Sequence, residues 1–210
     1  MADWVVISSL ATAGGTLALA GTTFLSVRSA NRAARFAERS LLASLRPLLL
    51  PSQAQDPGQK VGFMDAKWFQ VSGGGVVAEV SDTAIYLVIS LRNVAAGIAV
   101  LHGWRFQKAH AARGGERPDP DSFIRLTRDL YVPAGDIGFW QGTYRDPASP
   151  EFAAAREAIE ARANLTVELL YGDLEGGQRM ISRYGLLPRE DGGWIASAAR
   201  HWHVDAPDPR

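Results

Sequence analysis

The stretch WVVISSLATAGGTLALAGTTFLSV, residues 4–27, contains no charged side chain. A run of about 20 mainly apolar residues is long enough to cross the hydrocarbon core of a bilayer as a helix. Its Ser and Thr residues are tolerated in lipid because their hydroxyls can bond a carbonyl one turn back. No polar stripe interrupts the run, as the surface helix of a soluble domain would require, and a signal peptide would begin with basic residues. We therefore predict a transmembrane helix over residues 4–27.

A basic segment follows this run at residues 28–46. One acid, Glu38, accompanies five arginines there: Arg28, Arg32, Arg35, Arg39 and Arg46. Basic residues next to a span are retained in the cytoplasm. We expect a single-pass protein of the inner (cell) membrane, with its amino terminus outside and the rest cytoplasmic. The arginines are predicted to contact anionic membrane lipids, at about 1 kcal/mol per charge.

The spacing of Ala and Leu predicts that residues 28–46 form an amphipathic juxtamembrane helix. This helix could extend the transmembrane helix, lie along the membrane surface or pair as a short coiled coil. Within the span, small residues recur every three or four positions, at Ser8, Ala11, Gly15, Ala18 and Thr22. Such a pattern lets two membrane helices pack closely, although an Ala- and Gly-rich span also shows it by chance.

Composition excludes several classes of function. The chain has no cysteine, so disulfides, thiolate metal sites and cysteine nucleophiles are excluded. It holds 22 Lys plus Arg and 22 Asp plus Glu. Removing the five arginines of the basic segment and the acids Asp3 and Glu38 leaves 17 basic and 20 acidic residues in 47–210. This mildly acidic remainder is a poor electrostatic match for nucleic acid, so no nucleic-acid partner is expected.

The remainder of the chain reads as short β-strands separated by Gly, Pro and Asp clusters. Strands are predicted at 61–71, 76–80, 84–92, 98–107, 123–132, 137–144, 165–171, 178–187 and 194–204, with a further short one at 48–50. We predict a strand or linker at 47–60, a β-sandwich domain at 61–205 and a frayed tail at 206–210. With almost no helix between the strands, the fold class is mainly β, an antiparallel sandwich or barrel.

Three connections have their own signals. Ser149, Pro150 and Glu151 match an N-cap, a first helical residue and a first-turn acid, which predicts one inserted helix to Ala163. Residues 173–177 have the length and the glycines of a hairpin loop. Residues 109–122, rich in Gly and Pro, are predicted to be a mobile loop.

The closing strand carries the best candidates for chemistry. Alternate residues of a strand share a face, so His201, His203 and Asp205 could point together while Trp202 and Val204 enter the core. Two imidazoles and a carboxylate are weak candidates for a metal site, which His102 and His110 complete only if the fold brings them near. The simpler interpretation is a solvated strand face. Aromatic residues could line a ligand groove but are more often core: Trp68, Phe69, Trp104, Phe106, Phe139, Trp140 and Trp194.

Several short motifs resemble a set of uncharacterised bacterial, mainly actinobacterial, single-pass membrane-anchored proteins. They are Arg46-Pro47, Leu91-Arg92-Asn93-Val94, Gly97-Ile98-Ala99-Val100, Tyr131-Val132-Pro133-Ala134-Gly135 and Arg200-His201-Trp202. The family pattern often has Gly where Ala95 stands, so the turn after Asn93 differs here. The resemblance implies an immunoglobulin-like β-sandwich and supplies no catalytic residues.

No catalytic set can be placed on the sequence, and no cofactor is expected. We therefore predict a non-catalytic, membrane-anchored β-sandwich that binds or scaffolds a membrane or cytoplasmic protein partner or forms a homodimer. The alternative is a metal-binding or hydrolytic module that uses the histidines of the closing strand.

Overall fold

The computed structural model describes residues 2–107 and 116–206, with the backbone alone for Ala2, Val5, Val6 and Ala11. The chain divides between Ser44 and Leu45 into two compact units, a helix and a β unit.

The first unit is the single uninterrupted helix α1, Ala2–Ser44. It is long and apolar enough to cross a membrane, and none of its described side chains is buried. The predicted back-bonding of hydroxyls is confirmed: Thr12 Oγ1 donates to the Ser8 carbonyl at 2.8 Å, and Thr16 Oγ1 to the Thr12 carbonyl at 2.9 Å. Residues 28–44 continue the same helix without a break.

The second unit is mainly β and antiparallel, as predicted. Its elements are β1 Leu49–Pro51, β2 Gln59–Gly62, β3 Trp68–Val71, β4 Gly75–Val80, β5 Ile85–Asn93, β6 Ala99–Gln107, a 3-10 turn Pro120–Ser122, β7 Ile124–Val132, β8 Ile137–Tyr144, α2 Pro150–Glu160, β9 Leu165–Gly172, β10 Met180–Pro188 and β11 Trp194–His203. Every strand pair in the described chain is antiparallel.

One nine-stranded sheet holds all strands except β2 and β3. It runs β8–β5–β4–β11–β10–β9–β6–β7, and β1 pairs with β5 beyond the end of β4. The outermost strands, β7 and β8, are consecutive in the chain through a short turn, so the sheet must curl until its two edges approach. The immunoglobulin-like sandwich is not confirmed, because the strands form one curled sheet rather than two facing sheets of similar size.

The main core fills the concave side of this curled sheet. Along β5, Ile85, Leu87, Ile89 and Leu91 enter the main core, while Tyr86 and Val88 point to the outer face. This two-sided burial explains why β5 reads as a continuous apolar run. The inserted helix is confirmed: Ser149 Oγ accepts from the Phe152 amide at 3.1 Å, and Phe152, Ala155 and Ile159 are buried in the main core.

The single strand predicted at 61–71 is wrong. Residues 61–71 contain the last two residues of β2, a turn and the whole of β3. The turn is closed by a hydrogen bond from the Phe63 amide to the Lys67 carbonyl (2.8 Å), and β2 and β3 pair as a hairpin. Ala66 has a positive φ of 62° in that turn. The sequence does not mark this turn strongly, because its turn residue Asp65 directly follows the apolar residues Phe63 and Met64. The hairpin covers the outer face of β5 with Val61, Phe63 and Val71.

Two other connections are packed more firmly than the sequence indicates. The hairpin at 173–177 is confirmed, with Asp173 Oδ1 accepting from the Gly177 and Gln178 amides. The predicted mobile loop 109–122 falls partly outside the described residues. In its described part, Arg117 donates to the His203 and Val204 carbonyls at 2.9 and 3.2 Å, and Pro118 is buried.

Candidate functional site

The structure does not assemble His201, His203 and Asp205 into one site. His201 Nδ1 lies 2.6 Å from Ser182 Oγ, on the neighbouring strand β10. Asp205 lies beyond the end of β11, where the alternation of a strand no longer applies, and its carboxylate pairs with the Arg179 guanidinium at 2.6 Å. This hydrogen-bonded pair lowers the pKa of the Asp205 carboxyl.

No group of three His, Asp or Glu side chains in residues 2–107 and 116–206 is placed to hold a metal ion. His102 lies on β6, and His110 falls outside the described residues. Trp202 and Val204 pack as expected of apolar residues, but in a satellite cluster on the convex face with Phe123, Leu170 and Ile181 rather than in the main core. The Arg183 guanidinium lies 4.7 Å from the Trp202 ring.

A buried hydroxyl network surrounds Ser182. Tyr171 Oη lies 2.7 Å from Ser182 Oγ and accepts from the Leu49 amide at 3.2 Å, and Tyr184 Oη donates to the Leu49 carbonyl at 2.8 Å. Burial raises the pKa of both tyrosines, which keeps them protonated as donors. Ser182 beside His201 has the composition of a nucleophile and a base, but Ser182 is fully buried and cannot reach a substrate. The network instead fixes β1.

Tyr184→Phe is expected to lower the free energy of unfolding by about 1 to 2 kcal/mol, because the Leu49 carbonyl would lose its buried donor. Tryptophan fluorescence during urea unfolding of the full chain in micelles measures this loss. The control Tyr131→Phe removes an exposed hydroxyl and should change stability by less than about 0.5 kcal/mol. Equal effects of the two substitutions would contradict a structural role for the network.

The five arginines predicted to contact lipid do not share one environment. Arg28, Arg32, Arg35 and Arg39 are exposed along α1. Arg46 belongs to the β unit, is half-buried, and donates from Nε to Gln178 Oε1 at 3.2 Å. The small residues Ser8, Gly15, Ala18 and Thr22 are exposed on α1, and the side chain of Ala11 is outside the described part.

A groove on the surface of the β unit lies between β7 and β8, and we call it the β7–β8 groove. It encloses about 360 Å³. Its apolar lining consists of Phe63, Met64, Trp104, Ile124, Leu126 and Leu130. Met64 is 92% exposed and Ile124 is 44% exposed. Exposed apolar side chains beside an unpaired sheet edge mark a surface for association.

Polar groups in the same groove are incompletely bonded. Gln141 Oε1 and Thr143 Oγ1 are buried and have no hydrogen-bond partner among the described residues. Both residues line the groove on β8. An unpartnered buried polar atom in a native fold calls for a physical reason, and a bound partner is one.

Sequence reasoning did not identify this groove. Ile124, Leu126 and Leu130 stand at even-numbered positions of the strand predicted at 123–132, a pattern that indicates an apolar strand face rather than a groove. The strand is nonetheless an exposed edge, because β7 pairs with β6 alone in residues 2–107 and 116–206. Two large apolar residues of the β2–β3 hairpin are exposed: Met64, in the turn between β2 and β3, and Trp68, at the start of β3.

The other candidate aromatics lie mostly in the core. Trp104, Trp140 and Trp194 are buried in the main core, and Phe69 and Phe139 pack against the outer cluster on β5. Phe106 packs partly buried against the main core. Trp68 is exposed, with the Lys60 ammonium 4.9 Å from its ring centroid. Of this set, Trp104 is the residue that also lines the β7–β8 groove.

A second cleft, of about 410 Å³, lies around His102. His102 is the residue at which the pairing of β6 with both neighbours shifts register. Burial lowers the pKa of His102, which disfavours its charged form. The rim mixes Arg125 and Arg179 with Asp121 and Asp129, so its charges do not converge on one ligand type.

No protein-family model matches the chain, and no curated protein matches it.

Proposed function

We propose that the chain is a non-catalytic, membrane-anchored binding module whose β unit presents the β7–β8 groove to a protein partner. The observation that carries this proposal is the groove itself. Among the residues that the structure describes, it combines exposed apolar side chains with unpartnered buried polar atoms, beside two unpaired strand edges. The module is built on a curled antiparallel sheet rather than on the immunoglobulin-like sandwich that the resemblance implies.

The anchor in this proposal is α1. Its exposed apolar side chains would be costly in water, and a bilayer removes them from it. The four exposed arginines favour contact with anionic lipids and a cytoplasmic β unit, in a bacterial inner membrane with the amino terminus outside. The small residues from Ser8 to Thr22 are compatible with a homodimer or a second membrane helix. Nucleic acid is not a proposed partner.

The metal-binding or hydrolytic alternative has less support. Asp205 is held by Arg179, and the Ser182 hydroxyl beside His201 is fully buried. A catalytic pair would need an opening through which a substrate reaches Ser182. The proposal therefore places binding, not catalysis, on the β unit.

Site-specific photocross-linking tests the proposal. A benzoylphenylalanine is placed at Ile124, inside the groove, or at Ile195, which is 38% exposed on β11 and outside it. Irradiation of membranes from native cells that express the full chain is expected to give a discrete adduct at position 124 and none at position 195. An adduct of twice the chain mass of 22.7 kDa identifies a second copy. No adduct at 124, or the same adducts at both positions, would overturn the proposal.

A further inference from the structure

The unpaired edges of β7 and β8 face each other across the β7–β8 groove. In the described chain, β7 pairs only with β6, and β8 pairs only with β5. Only alternate residues of an antiparallel strand direct their N–H and C=O groups toward one neighbour. The other backbone groups of β7 and β8 therefore point toward the groove, where an added strand would bond them.

A bulge leaves further backbone groups of β7 without a ladder partner. The pairing of β6 with β7 jumps from Leu101–Leu130 to Gly103–Arg125. Residues 126–129 consequently have no opposite residue on β6. Leu126, Thr127 and Arg128 from this bulge line the groove. Bulges interrupt pairing and re-aim side chains next to binding sites.

The unpartnered polar atoms of β8 are also suited to bind an added strand. Gln141 Oε1 and Thr143 Oγ1 can accept hydrogen bonds, and neither has a donor in the described chain. The backbone N–H groups of an extended peptide are donors of this kind. The apolar lining would receive alternate side chains of that peptide, since successive side chains of a strand point to opposite faces.

The charge of the groove indicates the charge of the peptide that would bind there. Arg125, Arg128 and Arg145 line it, and no Asp or Glu does. Arg145 bonds Asp65 at 3.1 Å, whereas Arg125 and Arg128 form no ion pair with the described residues. A second copy of β7 would bring two more arginines against only one acid, Asp129. Charge complementarity therefore favours an acidic partner over a second copy.

We propose that the β7–β8 groove binds an extended acidic peptide segment of a partner protein by strand addition, with its alternate apolar side chains on the groove lining and its carboxylates at Arg125 and Arg128. This inference rests on the proposed function, and it specifies the partner of the same groove.

The test uses the full chain in phosphatidylcholine nanodiscs and a fluorescein-labelled peptide of eight residues with valine at odd and glutamate at even positions. Fluorescence anisotropy is expected to give saturable binding with Kd of about 10 to 100 µM. N-methylation of alternate amides should weaken binding about tenfold or more, because the methylated edge cannot donate. Lysine in place of glutamate should weaken it to a similar extent, about tenfold.

Matched variants locate the binding. Arg125→Glu with Arg128→Glu should weaken binding about tenfold, whereas Arg189→Glu, an exposed arginine paired with Asp191 outside the groove, should leave it unchanged. Equal binding of the N-methylated peptide, or no saturable binding up to about 1 mM, would overturn strand addition. If the cross-linked adduct at position 124 forms but the peptide does not bind, the proposed function stands and only the strand-addition inference is overturned. If neither the adduct nor peptide binding is observed, both the proposed function and this inference are overturned.

Discussion

Glu168→Gln is expected to lower the free energy of unfolding by about 3 to 5 kcal/mol, because it leaves a buried guanidinium without its counter-charge. Glu168 is 0% exposed at the centre of three adjacent strands. Its Oε1 accepts from Arg183 Nε and Nη2, both at 2.7 Å, and its Oε2 accepts from Arg105 at 2.8 and 2.7 Å. The Arg183 side chain is only 6% exposed, so water cannot replace the lost carboxylate.

A double substitution separates charge imbalance from packing. Glu168→Met with Arg183→Met removes both charges of the closest pair and should cost less than Glu168→Gln alone, since apolar replacement of a buried ion pair is often neutral. Arg105→Met should also cost less, because the Arg105 side chain is 27% exposed. Urea unfolding of the full chain in micelles, followed by tryptophan fluorescence, gives the three values. A loss below about 1 kcal/mol for Glu168→Gln would contradict the buried-pair explanation.

Asn93→Asp is expected to cost about 3 kcal/mol or more at pH 7, because a carboxylate would face two carbonyl oxygens. Asn93 is 0% exposed. Its Nδ2 donates to the Gly97 and Val132 carbonyls at 2.6 and 3.1 Å, and its Oδ1 accepts from the Leu48 and Ala95 amides at 3.3 and 3.2 Å. One side chain thus connects the start of β1, the turn after β5 and the end of β7.

The sign of the pH dependence follows from this geometry. The introduced carboxyl is disfavoured in its charged form when folded, so its folded pKa should exceed its unfolded value. The variant should therefore be closest to wild-type stability below about pH 4 and should lose stability as the pH rises. Asn93→Ala should cost less, about 1 to 3 kcal/mol, with no such pH dependence. The exposed change Gln55→Glu is the control, and a pH-independent loss in Asn93→Asp would contradict the explanation.

Local signals in the sequence predicted the elements well. The N-cap Ser149, the hairpin at 173–177 and nearly all strands stand where side-chain chemistry and turn residues indicate. The exception at 61–71 arose because the turn residues Gly62 and Asp65 stand singly among the apolar residues Val61, Phe63 and Met64. Local propensity locates elements, but a turn whose signals are isolated within an apolar run is recognised only when the chain reverses.

The candidate site was predicted poorly for the same physical reason. His201, His203 and Asp205 are neighbours in sequence. In the structure, however, His201 contacts Ser182 on β10, whereas Asp205 pairs with Arg179, just before β10. Glu168 and its two arginines are far apart in sequence and adjacent only through strand pairing. Nothing in the local pattern at residues 105, 168 and 183 indicates that they meet.

The sequence by itself determined that the chain begins with a long uncharged segment suited to a bilayer, that the rest is mainly antiparallel β, and that one capped helix interrupts the strands. These properties depend on hydrophobic period, charge and turn residues, which are local. Only the tertiary structure decided that nine strands join one curled sheet and that β7 and β8 each have one unpaired edge in the described part of the chain. Strand partners are chosen by the burial of residues distant in sequence, so the groove between those edges exists only once the sheet is assembled.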